Sequence, residues 1–485
     1  MTLTDTQTQQ PTWAKAIAYS IQEFPLTPLP VISGAIPDGL RGTLYRNGPG
    51  RLELGGEKAG HWFDGDGAVL AVHFTDSTPQ ATYRYVKTEA FVEESVAGKY
   101  LYTNYGIRKP DPIWQYWLKS FTNSLPIKNA ANTSVLALED RLLALCEAGQ
   151  PYAMDLQTLT TLGEDDLGGL TARQAYIAHP KVDPETGHIY SIGVTQHIPK
   201  NRLCFYHSDS SGKLLQQNAI EFDAIPFLHS FVMAGRYLVC LVPPIEMDRL
   251  AIALGLKTYN QAIKWKPEKG TQIIVVDRDT LQVVSRGETE AWFQWHFGNG
   301  YVDAAGDIHL DFVRHDDFPH TNEYLRELAF GEPRTADSST LWRMRLDPKT
   351  AQVKSLERVM DRQCEFPVVP PHRVGQPWQH TYLAVHQPGT DVKKEWYRAI
   401  AKFDYQSGEL TETFLGENRY VMEPRYARDR HNPDRGWLLT VVFDGDTDAS
   451  EVWVYDSDRL NQGPVCRLAL PQVIPLGFHG TWRGV

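Results

Sequence analysis

An all-β, seven-bladed propeller is the fold this 485-residue sequence predicts, and two periodic features carry the prediction. The first is a turn signature that recurs at Asp76-Ser-Thr-Pro, Asp155-Leu-Gln-Thr, Asp209-Ser-Ser-Gly, Asp277-Arg-Asp-Thr, Asp347-Pro-Lys-Thr, Asp404-Tyr-Gln-Ser-Gly and Asp456-Ser-Asp. An aspartate accepting from backbone N–H groups just downstream makes a tight turn. The flanks alternate in the half-buried manner of strands, as in Gln272-Ile-Ile-Val-Val and Leu281-Gln-Val-Val-Ser. Seven such hairpins at intervals of roughly 50–80 residues suit propeller blades with inserted loops.

The second feature is a series of polar markers, Glu147, His179, His229, His296, Glu365, Glu423 and His479, at intervals of roughly 30–70 residues. His179, His229 and His296 each stand just before a strand and a turn into a β-rich partner. One marker per blade, carried by the innermost strand, brings four imidazoles and three carboxylates to a common axis. A buried carboxylate needs a donor, and a metal-bound imidazole offers its other ring N–H. Four histidines on the metal, with three glutamates accepting from them, meets both demands. Chain order leaves a mixed His/Glu ligand set open. Imidazoles suit iron, zinc, copper and nickel. Four of them in a tetrahedron close a zinc site, whereas four on an octahedral iron(II) leave two positions for O₂.

Composition narrows the classes. A net charge of −11, without a strongly basic stretch, argues against a nucleic-acid binder. Cys146, Cys204, Cys240, Cys364 and Cys466 are odd in number and lack CxxC spacing, which points to free thiols in a reducing compartment. No signal peptide and no apolar span of about 18 residues is evident, so a cytoplasmic location is expected. No Pro/Ser-rich linker divides the chain, so residues 1–485 are expected to form one domain, with 1–12 a disordered tail.

A few short helices and loops are expected to cap the active-site face. Ile113, Trp114, Trp117, Leu118 and Phe121 have helical spacing within 112–121, as do Met247, Leu250, Ala251 and Leu254 within 245–256. Such helices cover a core or lie at a lipid interface.

Specific segments then make a likeness visible: Tyr45-Arg-Asn-Gly-Pro-Gly, Phe63-Asp-Gly-Asp-Gly, Asn129-Ala-Ala-Asn-Thr, Leu142-Leu-Ala-Leu-Cys-Glu-Ala-Gly-Gln-Pro, Ala178-His-Pro, Cys364-Glu-Phe-Pro and Gly477-Phe-His-Gly-Thr-Trp. Over nearly its whole length the chain resembles the carotenoid cleavage oxygenase family, most of all its bacterial, cyanobacterial-type apocarotenoid and carotenoid oxygenases. The resemblance implies iron(II) held by His179, His229, His296 and His479. It also implies Glu147, Glu365 and Glu423 as partners of three of them, His179 being the one left without a carboxylate. It further implies a dioxygenase that uses O₂ to split one C=C bond of an apolar polyene into two carbonyl products. No side chain is then required as acid or base. An apolar tunnel is implied, with its mouth near membrane-touching helices that match 112–121 and 245–256 in position. Phe63, Cys146, Phe227, Trp295 and Phe366 flank the markers and are candidates for its lining.

Three positions depart from the family pattern: Cys146 stands where a tryptophan is usual, Ser230 where an acidic residue is, and Ala68 where methionine is common. The first should reshape the cavity beside the metal. The alternatives are a stilbene-cleaving dioxygenase on the same scaffold, a retinoid isomerase, or a non-catalytic apocarotenoid-binding propeller.

Overall fold

The computed structural model describes residues 10–18, 20–108, 127–172, 174–195, 200–254 and 256–485. Among these, seven antiparallel sheets of four to six strands follow one another, with two small two-stranded ribbons. The fold is a β-propeller with few short helices. Each sheet buries its face against the next. Ile192 and Phe205 of one sheet meet Leu238 and Val276 of its neighbour, and Val239 and Val275 of that neighbour meet Leu310 and Met344 of the following one. Leu44 and Val72 of the first sheet share a cluster with Leu438 and Val454 of the last, so the series closes on itself.

Two pairings form the seam. Gly42–Arg51 pairs with Gly480–Gly484, and Val31–Gly34 pairs with Pro464–Ala469, so strands from both halves of the chain are woven into two sheets.

The aspartate turns occupy equivalent places. Those at Asp155, Asp209, Asp277, Asp347 and Asp404 each join the two outermost strands of a sheet, and each carboxylate accepts from an N–H two residues downstream. Leu159, Leu281, Ala351 and Gly408, four residues after their aspartates, take the positive φ that completes the turn. The outermost strands Leu214–Phe222 and Val283–Thr289 alternate between half-buried and exposed, whereas inner strands such as Leu142–Leu145 are buried throughout. Strands packed on both faces lose the alternation.

The helix expected over 245–256 is shorter than its spacing suggests. Ile245–Met247 is a strand paired with Ile263–Trp265, and only Arg249–Ala253 is helical. Asp248 decides the boundary, its side chain accepting from the Ala251 N–H at 3.1 Å as an N-cap. Ile252 is buried, while Leu250 and Leu256 are 68% and 67% exposed. The segment 112–121 lies outside the described residues, as do residues 1–9 of the expected tail. Thr12 already opens the helical turn Thr12–Ala14, whose Trp13 is buried.

Candidate metal centre

The four histidines come from four sheets and stand one to three residues ahead of an inner strand. His179 precedes Lys181–Val182, His229 precedes Val232–Ala234, His296 precedes Phe297–Val302 and His479 precedes Gly480–Gly484. Their ligand-type nitrogens lie within 4.8 Å of one another. The Nε2 atoms of His179 and His229 are 2.9 Å apart, those of His229 and His296 3.2 Å, and those of His296 and His479 3.0 Å.

The opposite ring nitrogens meet carboxylates. His229 Nδ1 is 2.8 Å from Glu147, His296 Nδ1 is 2.5 Å from Glu365, and His479 Nδ1 donates to Glu423 at 2.9 Å. Among the described residues no carboxylate pairs with His179. A ring that donates Nδ1–H to a carboxylate leaves a lone pair on Nε2. Three such lone pairs face one another at contact distance, an arrangement that repels unless a cation lies among them. With metal–nitrogen bonds of about 2.1 Å, right-angle neighbours are about 3.0 Å apart and tetrahedral neighbours about 3.4 Å. Two of the three observed spacings match the right-angle case and the third lies midway, so the four nitrogens fit around one metal ion.

Electrostatics agree. Burial, reinforced by the neighbouring imidazoles, holds His179 well below the usual histidine range and brings His479 down to about 4, despite the opposing pull of Glu423. Neutral imidazoles are what a metal requires. Burial alone would raise the three carboxyls. His229 beside Glu147, His296 and His315 beside Glu365, and Arg425 with His479 beside Glu423 hold them below their ordinary values instead.

The quoted motifs prove to be braces. Gly67 passes so close to Ala131 that a Cβ would lie 2.2 Å from its carbonyl oxygen, and the Gly67 N–H donates to Ala130. Asn132 donates to the Phe63 and Gly65 carbonyls, fixing the loop that carries the Phe63 ring. Next to it, the Thr133 hydroxyl donates to Glu147 at 3.3 Å. Phe366 has φ +58°, and its ring stacks on His296 at 5.6 Å. Backbone strain of this kind collects where a site must be held in place.

Below the histidines lies a cavity of about 280 Å³. Phe63, Cys146, Phe227, Trp295 and Phe366 all line it, as do three of the histidines, His229, His296 and His479. Phe63, Phe227, Trp295, Phe293 and Phe318 form one aromatic cluster on its wall. Burial raises the Cys146 thiol to about 11, with Glu147 adding to the effect, so it stays protonated at neutral pH. Ser230 and Ala68 are buried beside neighbouring strands, and neither lines the cavity.

Two contributors escape sequence reasoning. Arg46 forms a buried 2.9 Å ion pair with Glu423, and His315 bridges Asp337 and Glu365. Arg46 lies in one of the quoted motifs, the only signal available for it. His315 carries none.

Comparison with known proteins agrees with this architecture. Residues 17–484 match the family model described as retinal pigment epithelial membrane protein. The apocarotenoid-15,15'-oxygenase of Synechocystis sp. is 34% identical over 93% of this chain and 92% of its own length. Resveratrol cleavage oxygenase 1 of Aspergillus fumigatus is 26% identical over 93% of this chain and 91% of its own. The crystal structure of the cobalt-substituted Synechocystis enzyme superposes with a TM-score of 0.86 at 32% identity, covering 98% of each chain.

Proposed function

The chain belongs to the retinal pigment epithelial membrane protein family of carotenoid oxygenases, and on that premise we propose that it is an iron(II)-dependent dioxygenase cleaving one C=C bond of a carotenoid or apocarotenoid. The observation that carries the reading is the convergence of four Nε2 atoms at the wall of an apolar, aromatic-lined cavity. His179, His229, His296 and His479 would hold the ion, with Glu147, Glu365 and Glu423 fixing three of the rings. Iron(II), when bound, supplies the one-electron chemistry that lets ground-state O₂ react with a closed-shell alkene.

The reaction balances without a co-reductant. One C=C bond and the O–O bond break, and each former alkene carbon leaves with one oxygen as a carbonyl. No proton is transferred, so the cavity needs no acid or base. The protein's part is binding and orientation. Phe63, Phe227 and Trp295 present flat apolar faces to a conjugated chain, and Phe366 holds His296 from the side. The apolar lining keeps water from the reacting carbons.

The cavity reaches Met247 and Tyr259, on either side of the exposed Leu250 and Leu256. That pair suits peripheral contact with a lipid surface, from which a dissolved polyene would pass inward. Among the described residues no helix is long and apolar enough to cross a membrane. The five cysteines are free, which fits a reducing compartment. We treat residues 1–485 as one functional unit, because the seam joins strands from its two ends.

The test is iron analysis followed by aerobic and anaerobic incubation with a panel of carotenoids, apocarotenoids and stilbenes, with products identified by mass spectrometry. Paired aldehydes formed from a polyene only in air are expected. Stilbene cleavage without loss of polyene absorbance would move the substrate class to that of the Aspergillus relative. Full binding of a polyene with no turnover would make the protein a binding propeller.

A further inference from the structure

We infer that His315 is a positioning residue of the metal centre, holding Glu365 in the one orientation from which that carboxylate fixes the His296 ring. This rests on the metal reading above; His315 and Asp337 are not among the four candidate ligands, although both reach the wall of the cavity. The geometry is a continuous line across two neighbouring sheets. Asp337 lies 2.9 Å from His315 Nδ1, His315 Nε2 lies 3.2 Å from Glu365 Oε1, and Glu365 Oε2 lies 2.5 Å from His296 Nδ1. His296 Nε2 then faces His229 and His479.

His315 ends the strand Ile308–His315, and its N–H donates to the Phe293 carbonyl at 2.8 Å. Its side chain is 1% exposed, so the ring has no freedom to turn to water. Both ring nitrogens are engaged by carboxylates, which a ring achieves only when both are donors. Burial alone would lower its proton affinity, but Asp337 and Glu365 on either side raise it to about 10, so the ring is a cation at neutral pH.

Comparison of the three carboxylates shows what that cation does. Glu423 is held by Arg46 at 2.9 Å, and Arg425 stands 3.3 Å away. Glu147 receives a neutral hydroxyl from Thr133 at 3.3 Å. Glu365 receives His315. Thus His315 does for Glu365 what Arg46 does for Glu423. Without it, Glu365 would keep the Phe366 N–H and His296 as partners on one oxygen, and its other oxygen would be buried without a donor. A carboxylate so placed turns or takes up a proton, and either change frees the His296 ring.

The test uses the full chain, stripped of metal and titrated with cobalt(II), whose visible absorption reports the ligand set. His315→Leu removes both contacts, His315→Gln keeps a donor without the charge, and Asp337→Asn loosens the far end of the line. The expected result is cobalt(II) binding weakened about 10–100-fold in His315→Leu with a shifted visible spectrum, partial recovery in His315→Gln, and a smaller loss in Asp337→Asn. If His315→Leu does not fold, the other two variants decide by the same affinity and spectrum. Folded variants that bind cobalt(II) as the parent does, with the same spectrum and only lower thermal stability, overturn the inference. A parent protein that binds no cobalt(II) instead overturns the metal reading on which it rests.

Discussion

Arg46 and Glu423 are separated by 377 residues and joined inside the protein by a 2.9 Å ion pair, with both side chains almost fully removed from solvent. The same guanidinium donates to the carbonyls of Glu423 and Phe478, so it ties the seam to the metal centre. Arg46→Met should cost about 3–5 kcal/mol of stability, because a buried carboxylate loses its nearest cation, with Arg425 at 3.3 Å left to offset part of the charge. Arg46→Lys should recover only part of that, since one ammonium nitrogen cannot reach both the Glu423 acceptors met by Nη1 and the Phe478 carbonyl met by Nη2. Urea unfolding measures both, and a loss below about 1 kcal/mol in Arg46→Met would contradict the role assigned to the pair.

Alanine at His179, His229, His296 or His479 should abolish iron retention. Glu365→Gln should weaken it by about 10–100-fold, because the amide can still meet the ring but no longer selects its tautomer. Metal analysis after dialysis is the measurement, and full iron occupancy in His296→Ala would end the four-histidine assignment.

Acid should destabilise the protein through buried histidines outside the candidate ligand set. Burial, helped by Arg398, pushes His386 down to about 3, and burial does the same to His61. Between the unfolded value of about 6.5 and that folded value, the unfolded chain binds more protons, so stability falls as pH falls through this window. His386→Phe keeps a ring against Tyr397 and removes one proton from the slope, about 1.4 kcal/mol per pH unit. Unfolding free energies at pH 7, 6 and 5 test this; parallel curves for parent and variant would refute it.

Cys146 leaves room beside the metal that a larger side chain would fill. Cys146→Trp should retain iron and lower turnover of the bulkiest substrate in the panel by about tenfold or more, sparing slimmer ones. Equal losses across the panel would mean that the position does not shape the cavity.

Leu250→Glu and Leu256→Glu should each reduce co-sedimentation with lipid vesicles by roughly 10–100-fold, the equivalent of about 1.5–3 kcal/mol for a buried leucine. Turnover of detergent-dispersed substrate should not change. Undiminished vesicle binding in the double variant would remove this face from the membrane reading.

The parts legible in the sequence were those written locally. An aspartate turn declares itself within five residues, and a histidine just ahead of a strand recurs in recognisable form. His315 was illegible because its partners, Asp337 and Glu365, lie 22 and 50 positions away with nothing repeated about the spacing. Met247, Leu250, Ala251 and Leu254 misled for another reason. In so short a segment, helical spacing fits a helix and a strand followed by a turn almost equally, and the Asp248 cap decided between them.

The placing of each histidine one to three residues before an inner strand divides the molecule by tolerance to insertion and deletion. Outer turns such as Asp209-Ser-Ser-Gly lie at the rim, where added residues lengthen a loop and leave the axis untouched. A single deletion at Pro180, between His179 and Lys181–Val182, or at Ser230 or Phe231, between His229 and Val232–Ala234, turns the ring away from its three companions. Evolution can therefore rewrite the rim freely while the few residues at the inner strand starts stay fixed in length.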